Sequence, residues 1–186
     1  MTMQIKGTAV KSIGDYVRKQ HPTRYNEWLT SLPLSSYKLL KDGVNVAEWY
    51  PMHDAAIIPT SKVGELFFHD PKKGAWECGR YSAENALTGV YKLYVKFASP
   101  GHIIERASRV FAAYYQPCEL VAANFKPKSV EVIIKKMSQP HPIIEHRIGG
   151  WMERALEISG CSGIKITIPK SLTNGATETV FAISWD

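Results

Sequence analysis

Apolar positions recur at two different spacings along this chain, and the spacing changes near residue 117. Before it the period is that of a helix. Val10, Ile13, Gly14 and Val17 share one helical face, Pro22 can open a second helix through Tyr25, Trp28 and Leu29, and Pro33 a third through Tyr37 and Leu40. Pro51 can start another, which must bend or break near Pro59 and resumes with Val63, Leu66 and Phe67 on one face. "HDPKKG", residues 69–74, reads as a turn. Ser82 is a good N-cap for a helix over 83–97, with Ala86, Leu87, Val90, Tyr91, Tyr94 and Val95 in one stripe. Ser99-Pro100 supplies the cap and first-turn proline of a further helix over 100–116, which buries Ile103, Ile104, Ala107, Val110, Phe111, Tyr114 and Tyr115 and stops at Pro117.

After residue 117 the period becomes two. "CELVAANF" and "SVEVIIKKM" predict strands joined at Lys126-Pro127-Lys128, with Val130, Val132 and Ile134 on one side. A helix over about 143–158 follows. "GIKITI" then aligns Ile164, Ile166 and Ile168, and "TETVFAISW" aligns Thr179, Phe181, Ile183 and Trp185, with Asn174-Gly175 in the connection. The fold class is therefore α+β: a helical N-terminal half packed with a β-β-α-β-β antiparallel sheet unit. One domain over 1–186 is expected, with a helical lobe at about 8–116 and a sheet lobe at about 118–186.

The late helix carries an anomaly. Ile144, Ile148, Trp151, Met152, Ala155 and Leu156 form its apolar arc, Gly149 lies at the margin, and Gly150 falls on the polar side among His146, Glu153 and Glu157. Each glycine costs roughly 1 kcal/mol against alanine in a helix, so something must approach this backbone closely. That partner is either another element of the same chain or a second copy. The expectation carried forward is a homodimer with the Gly150 side against the partner subunit and Trp151 and Met152 facing the core.

Composition narrows the function classes. The chain is 45% hydrophobic and 22% charged, the balance of an ordered protein. No apolar run reaches the roughly 20 residues that span a bilayer, and the N-terminus lacks the apolar stretch of a secretory signal, so a cytoplasmic protein is expected. The net charge of +6 is scattered rather than gathered, which argues against a nucleic-acid patch. Cys78, Cys118 and Cys161 are widely spaced, with no CxxC pair and no histidine cluster at zinc spacing, and read as reduced thiols.

His53-Asp54, His69-Asp70, Glu145-His146 and the pair His141/His146 are candidate acids and bases, but none forms a recognisable catalytic constellation, and no GxSxG, HExxH or phosphate-loop pattern is present. An enzyme is not expected. Arg80 stands just before the predicted cap at Ser82, where helix N–H groups favour an anion, and is a candidate for holding a carboxylate or phosphate; it can equally pair with Glu77 or Glu84.

"IKGTAV", "EWYPM" at 48–52, "CGRYSAENALTGVYKLYVKFASPGHIIERA" at 78–107, "RIGGWMERALEISG" at 147–160 and the closing "VFAISW" together resemble an uncharacterised bacterial family of the superfamily that unites haem-NO-binding sensor domains, 4-vinyl reductase domains and TRAPP-type subunits. The resemblance implies helices over an antiparallel sheet, with a pocket between them for haem, an acyl chain or another hydrophobic molecule. Haem sensors of this superfamily carry a proximal histidine on the helix before the sheet and a tyrosine-serine-arginine signature on a following strand. His102 matches the first, but "IIKKMSQPHP" lacks the second, so no cofactor is expected, and a haem-based gas sensor stays a lesser alternative. The 4-vinyl reductase relatives carry a cysteine cluster near the C-terminal end, where only Cys161 stands here, so no metal is expected.

The resulting expectation is a non-catalytic sensory or regulatory domain that binds a hydrophobic small molecule or acyl chain, walled by Tyr91, Tyr94, Phe111, Tyr115 and Trp151, with Arg80 near the head group. The alternative is an interaction scaffold whose same side chains simply fill the core.

Overall fold

The computed structural model describes residues 2–87 and 100–186. Its helical part runs β1 (Gln4–Lys6), α1 (Gly7–Gln20), α2 (Tyr25–Thr30), α3 (Leu34–Lys41), β2 (Trp49–Pro51), α4 (Ile58–Phe67), α5 (Pro71–Leu87) and α6 (Pro100–Tyr114). The sheet part follows as β3 (Tyr115–Gln116), β4 (Cys118–Lys126), β5 (Ser129–Met137), α7 (Pro142–Ile158), β6 (Lys165–Lys170) and β7 (Thr179–Ser184). The α+β class and the β-β-α-β-β unit hold as expected. That unit's sheet has the order β4-β5-β7-β6, all antiparallel, so β7 inserts between the first hairpin and β6.

Val130, Val132 and Ile134 of β5 are buried, opposite Ile183, Phe181 and Thr179 of β7, and Trp185 is buried just beyond. The two-residue period therefore placed the core face of both strands correctly. α7 ends where Gly160, at φ 94°, closes the last turn in the left-handed region.

Three features of the N-terminal half differ from expectation. First, a small sheet of order β2-β1-β3 ties residues 4–6 to 49–51 and 115–116. Its strands are too short to show a period, so sequence patterning missed them.

Second, Pro59 does not break the helix. Residues 53–57 take a wide π-helical turn that runs into α4, with Pro59 in the first turn of α4, where a missing N–H is tolerated.

Third, α5 starts at Pro71, about a dozen residues before Ser82, so "HDPKKG" is largely helix and Ser82 lies inside it. Asp70 caps this start, accepting from the Lys72 and Lys73 N–H groups at 2.8 and 3.2 Å. Gly74 is the residue that suggested a turn. A Cβ there would lie 2.5 Å from the Gly64 nitrogen, so the glycine serves a close α4–α5 crossing.

α7 is buried over most of its circumference. Ile144, Ile148, Met152, Ala155 and Leu156 are inaccessible, and Glu145, Arg147, Gly149 and Gly150 are buried as well. Its largest partner is α5. A Cβ on Gly150 would lie 2.8 Å from the Trp76 carbonyl carbon and closer still to its oxygen. One on Gly149 would meet the Trp76 ring at 2.5 Å, and one on Gly79 of α5 would lie 2.9 Å from the Arg147 carbonyl carbon. Both helices therefore contribute glycine to one seam within the chain. The expected placement of the Gly149/Gly150 helix against a second copy in a homodimer is corrected here: the element that approaches Gly150 is α5 of the same chain, so that face is not the one available for pairing.

Candidate functional site

The interior where α1, α5, α6 and α7 converge is the place the sequence pointed to. On α6, Ile103, Ile104 and Phe111 are buried, and Tyr115 follows at 3% exposure. Phe111 meets Trp151 of α7 edge to face, ring centroids 5.0 Å apart, and stacks with Tyr115 at 6.5 Å. These three expected wall residues thus pack on one another. Tyr91 and Tyr94 lie outside the described residues.

Arg80 does not sit at a helix start. It lies in the middle of α5 and reaches across the seam to Glu153, and to Glu157 at 2.8 and 2.9 Å. Glu77 is a weaker neighbour at 3.9 Å. Arg154 adds a bond to Glu84 at 2.5 Å and one to Glu157 at 2.6 Å, while Trp76 donates its indole N–H to Glu153 at 2.8 Å. With two carboxylates on its guanidinium, Arg80 is a strut of the α5–α7 seam rather than an anion receptor. Burial pushes the Glu157 carboxyl up, but its hydrogen bonds from Arg80 and Arg154 prevail and hold it below the usual carboxylate range.

The candidate acids and bases are also engaged. His141 caps α7, its Nδ1 accepting from the Ile143 N–H at 3.2 Å, and His146 Nδ1 lies 2.9 Å from the Pro142 carbonyl oxygen. Exposed His53 contacts the half-buried Asp54 at 3.0 Å. Glu145, 2% exposed, accepts from Ser171, Thr173 and Thr179 hydroxyls, which pins the β6–β7 connection to α7. Burial pushes the Cys78 thiol up to about 12, and that of Cys118 up to about 11. Among the described residues, no group of three or more His, Cys, Asp or Glu could hold a metal ion.

One site residue escaped the sequence reading. Arg147, on α7, is 2% exposed and turns inward to the Ala9 carbonyl of α1 and to Ser12 Oγ at 3.0 Å. The signal that could have found it was the glycine pair itself. Glycines on the polar side of a helix imply that this side is covered, and then the charged residues beside them are covered too.

Among the described residues, clefts open around this core. One of about 340 Å³ runs along the seam past Tyr16, Lys19, Arg80 and Tyr81; one of about 300 Å³ lies between Trp76, His146, Ile166 and Ile168; and one of about 220 Å³ is lined by Ala9, Ser12, Ser82, Asn85 and Tyr114.

Comparison of the fold decides the architecture. The chain has the fold of the H-NOX domains. An H-NOX protein from K. algicida, solved as a mutant in the Fe(II) unliganded state, matches with a TM-score of 0.72 at 14% identity, covering 98% of this chain and 97% of that one. The H-NOX domain from Shewanella oneidensis in its Fe(II)CO state matches with a TM-score of 0.72 at 14% identity over 98% and 99%. An H-NOX protein from S. oneidensis in the Fe(II)NO state gives 0.68 at 12%, over 98% and 99%. No protein-family model matches the chain, and no curated protein matches it in sequence.

The expectation of no cofactor is corrected by these neighbours, which are H-NOX proteins solved in Fe(II) states, with a further one solved to probe heme distortion in the H-NOX family. The residues here meet part of what a haem needs. His102 lies on α6, roughly 200° around the helix from Ile104, on the exposed face with Arg106 and Arg109 and away from the sheet-side core. The end of β5 and the stretch after it, residues 133–142, carry no tyrosine-serine-arginine signature. Among the described residues, no helix is long and apolar enough to cross a membrane.

Proposed function

We propose that this chain is a sensory or regulatory domain, not an enzyme, which holds a small apolar molecule between its helical lobe and its sheet unit. The observation that supports this reading most is the fold, shared over 98% of the chain with domains whose solved states are defined by what their iron carries. The engaged state of His141, His146 and Glu145 supports it further, because each has a structural task in place of a catalytic one.

Haem is the first ligand to test. The interior wall would be Phe111, Tyr115 and Trp151, with Tyr91 and Tyr94 as further candidates, whereas His102, the candidate iron ligand, stands about 180° around α6 from Phe111 and does not face that wall. When bound, a haem supplies an iron open to a diatomic gas. The missing tyrosine-serine-arginine signature favours a second reading, in which an acyl chain or other hydrophobic molecule occupies the same interior. Hemin titration followed by absorption tests the first, with a Soret band that His102→Ala removes as the expected result. A saturable fluorescence change with an environment-sensitive fatty-acid probe tests the second. Neither signal in a folded protein would leave the scaffold alternative standing.

A further inference from the structure

A guanidinium stays protonated at any ordinary pH and carries five N–H donors, so burying one demands a carboxylate or a full set of acceptors. Arg147 has neither among the described residues. Its Nη2 serves Ala9 and Ser12, whereas its Nη1 is buried with no hydrogen-bond partner. The acids near it in sequence are committed elsewhere: Glu145 to three hydroxyls, Glu153 to Arg80 and Trp76, and Glu157 to Arg80 and Arg154. A buried cation without a counter-charge is strongly unfavourable, and an anion brought to it removes that penalty.

The residues that Arg147 holds border a cleft. The guanidinium lies close enough to Cys78 of α5 and Tyr115 to counter part of the burial that raises both groups. The two residues it grips, Ala9 and Ser12, also line the 220 Å³ cleft, together with Lys11 and Asp15 of α1, which pair with each other at 2.6 Å, and with Ser82 and Asn85 of α5 and Tyr114 of α6. Ser12 Oγ donates to the Ala9 carbonyl at 2.8 Å, so both of the arginine's acceptors belong to one turn of α1.

We propose that Arg147 anchors a carboxylate site at the junction of α1, α5, α6 and α7, holding the acidic end of the interior ligand. This rests on the reading that the chain holds such a ligand. A free fatty acid and a haem propionate present the same chemistry to Nη1, and the experiment separates them.

Decanoate, decanol and hemin would be titrated into the wild-type chain and into Arg147→Met and Arg147→Lys, following the thermal midpoint and, for hemin, the Soret band. The expected result is that decanoate raises the wild-type midpoint saturably and decanol far less, and that Arg147→Met weakens decanoate about ten-fold or more, with Arg147→Lys between. An Arg147-dependent hemin titration without a decanoate effect assigns the carboxylate to a propionate and equally supports the site. Binding of decanoate or hemin that is unchanged in Arg147→Met overturns the site while the interior-ligand reading survives. No binding of any probe to the wild type overturns both. Should Arg147→Met fail to fold by circular dichroism, Ser12→Ala serves instead: it removes one of the two acceptors of Nη2, the Ala9 carbonyl keeping the other, and is expected to bind the carboxylate at least as tightly as wild type, and a loss of binding there overturns the proposal.

Discussion

The α5–α7 seam makes a prediction whose sign runs against helix propensity. Alanine stabilises an exposed helix by roughly 1 kcal/mol over glycine, so Gly150→Ala should help on propensity alone. The added Cβ, however, would stand 2.8 Å from the Trp76 carbonyl carbon, and the obstacle is backbone of another helix, not a side chain that can rotate away. Carbon atoms rest at about 3.5–4.0 Å, so the helices must part by the better part of an ångström. Overpacking of this kind costs about 1–3 kcal/mol, and more where backbone must move, with Trp76, Arg80 and Arg154 all tied across the same seam. The net expectation is a loss of about 2 kcal/mol, or about 4–8 °C in Tm for a chain of this size.

Gly14→Ala is the internal control. Its Cβ would meet nothing nearer than the Arg18 Nη1 at 3.6 Å, so α1 should gain about 0.5–1 kcal/mol. Thermal and urea denaturation of both variants would show opposite signs, with Gly150→Ala sedimenting as the wild type does. A Gly150→Ala protein as stable as wild type would refute the seam.

Other consequences follow from named contacts. Thr179→Val takes a donor from Glu145 and an acceptor from the Leu172 N–H, which lies 2.9 Å from the threonine hydroxyl, and is expected to cost about 1–3 kcal/mol in urea unfolding. Because the Glu157 carboxyl is held below its ordinary value, its contribution is present above the unfolded pKa and disappears as pH falls through the folded one. Acid titration of stability should therefore be shallower in Glu157→Gln, and an unchanged slope would count against the Arg80–Glu157–Arg154 network. Cys78, with its thiol pushed up to about 12 by burial, should resist a thiol reagent at pH 8 until the chain unfolds; rapid native labelling at that position would contradict its placement.

The second half of the chain was legible because strands of nine and six residues give a two-residue period room to show itself, as at Val130, Val132, Ile134, Phe181 and Ile183. The same logic explains the failures. β1 and β2, at three residues each, cannot display a period, and Gly74 resembles a turn residue unless the crossing with Gly64 is known. Gly149 and Gly150 correctly signalled close approach, yet which element approached is a long-range fact that local sequence does not hold. Arg80 was misread for a similar reason: its partners, Glu153 and Glu157, lie more than seventy residues away. Arg147 went unseen because a charged residue on a helix defaults to solvent, and only tertiary structure shows that α7 is covered on nearly every side.

The central claim is that the interior holds a molecule. Native mass spectrometry of the protein as isolated, from cells supplied with haem precursor and again from cells rich in free fatty acid, tests it most directly. The account predicts a species heavier than the 20.9 kDa chain that returns to the chain mass on denaturation, with the excess equal to a haem or a carboxylic acid and lost in Arg147→Met. The bare chain mass from both preparations of folded protein would contradict it.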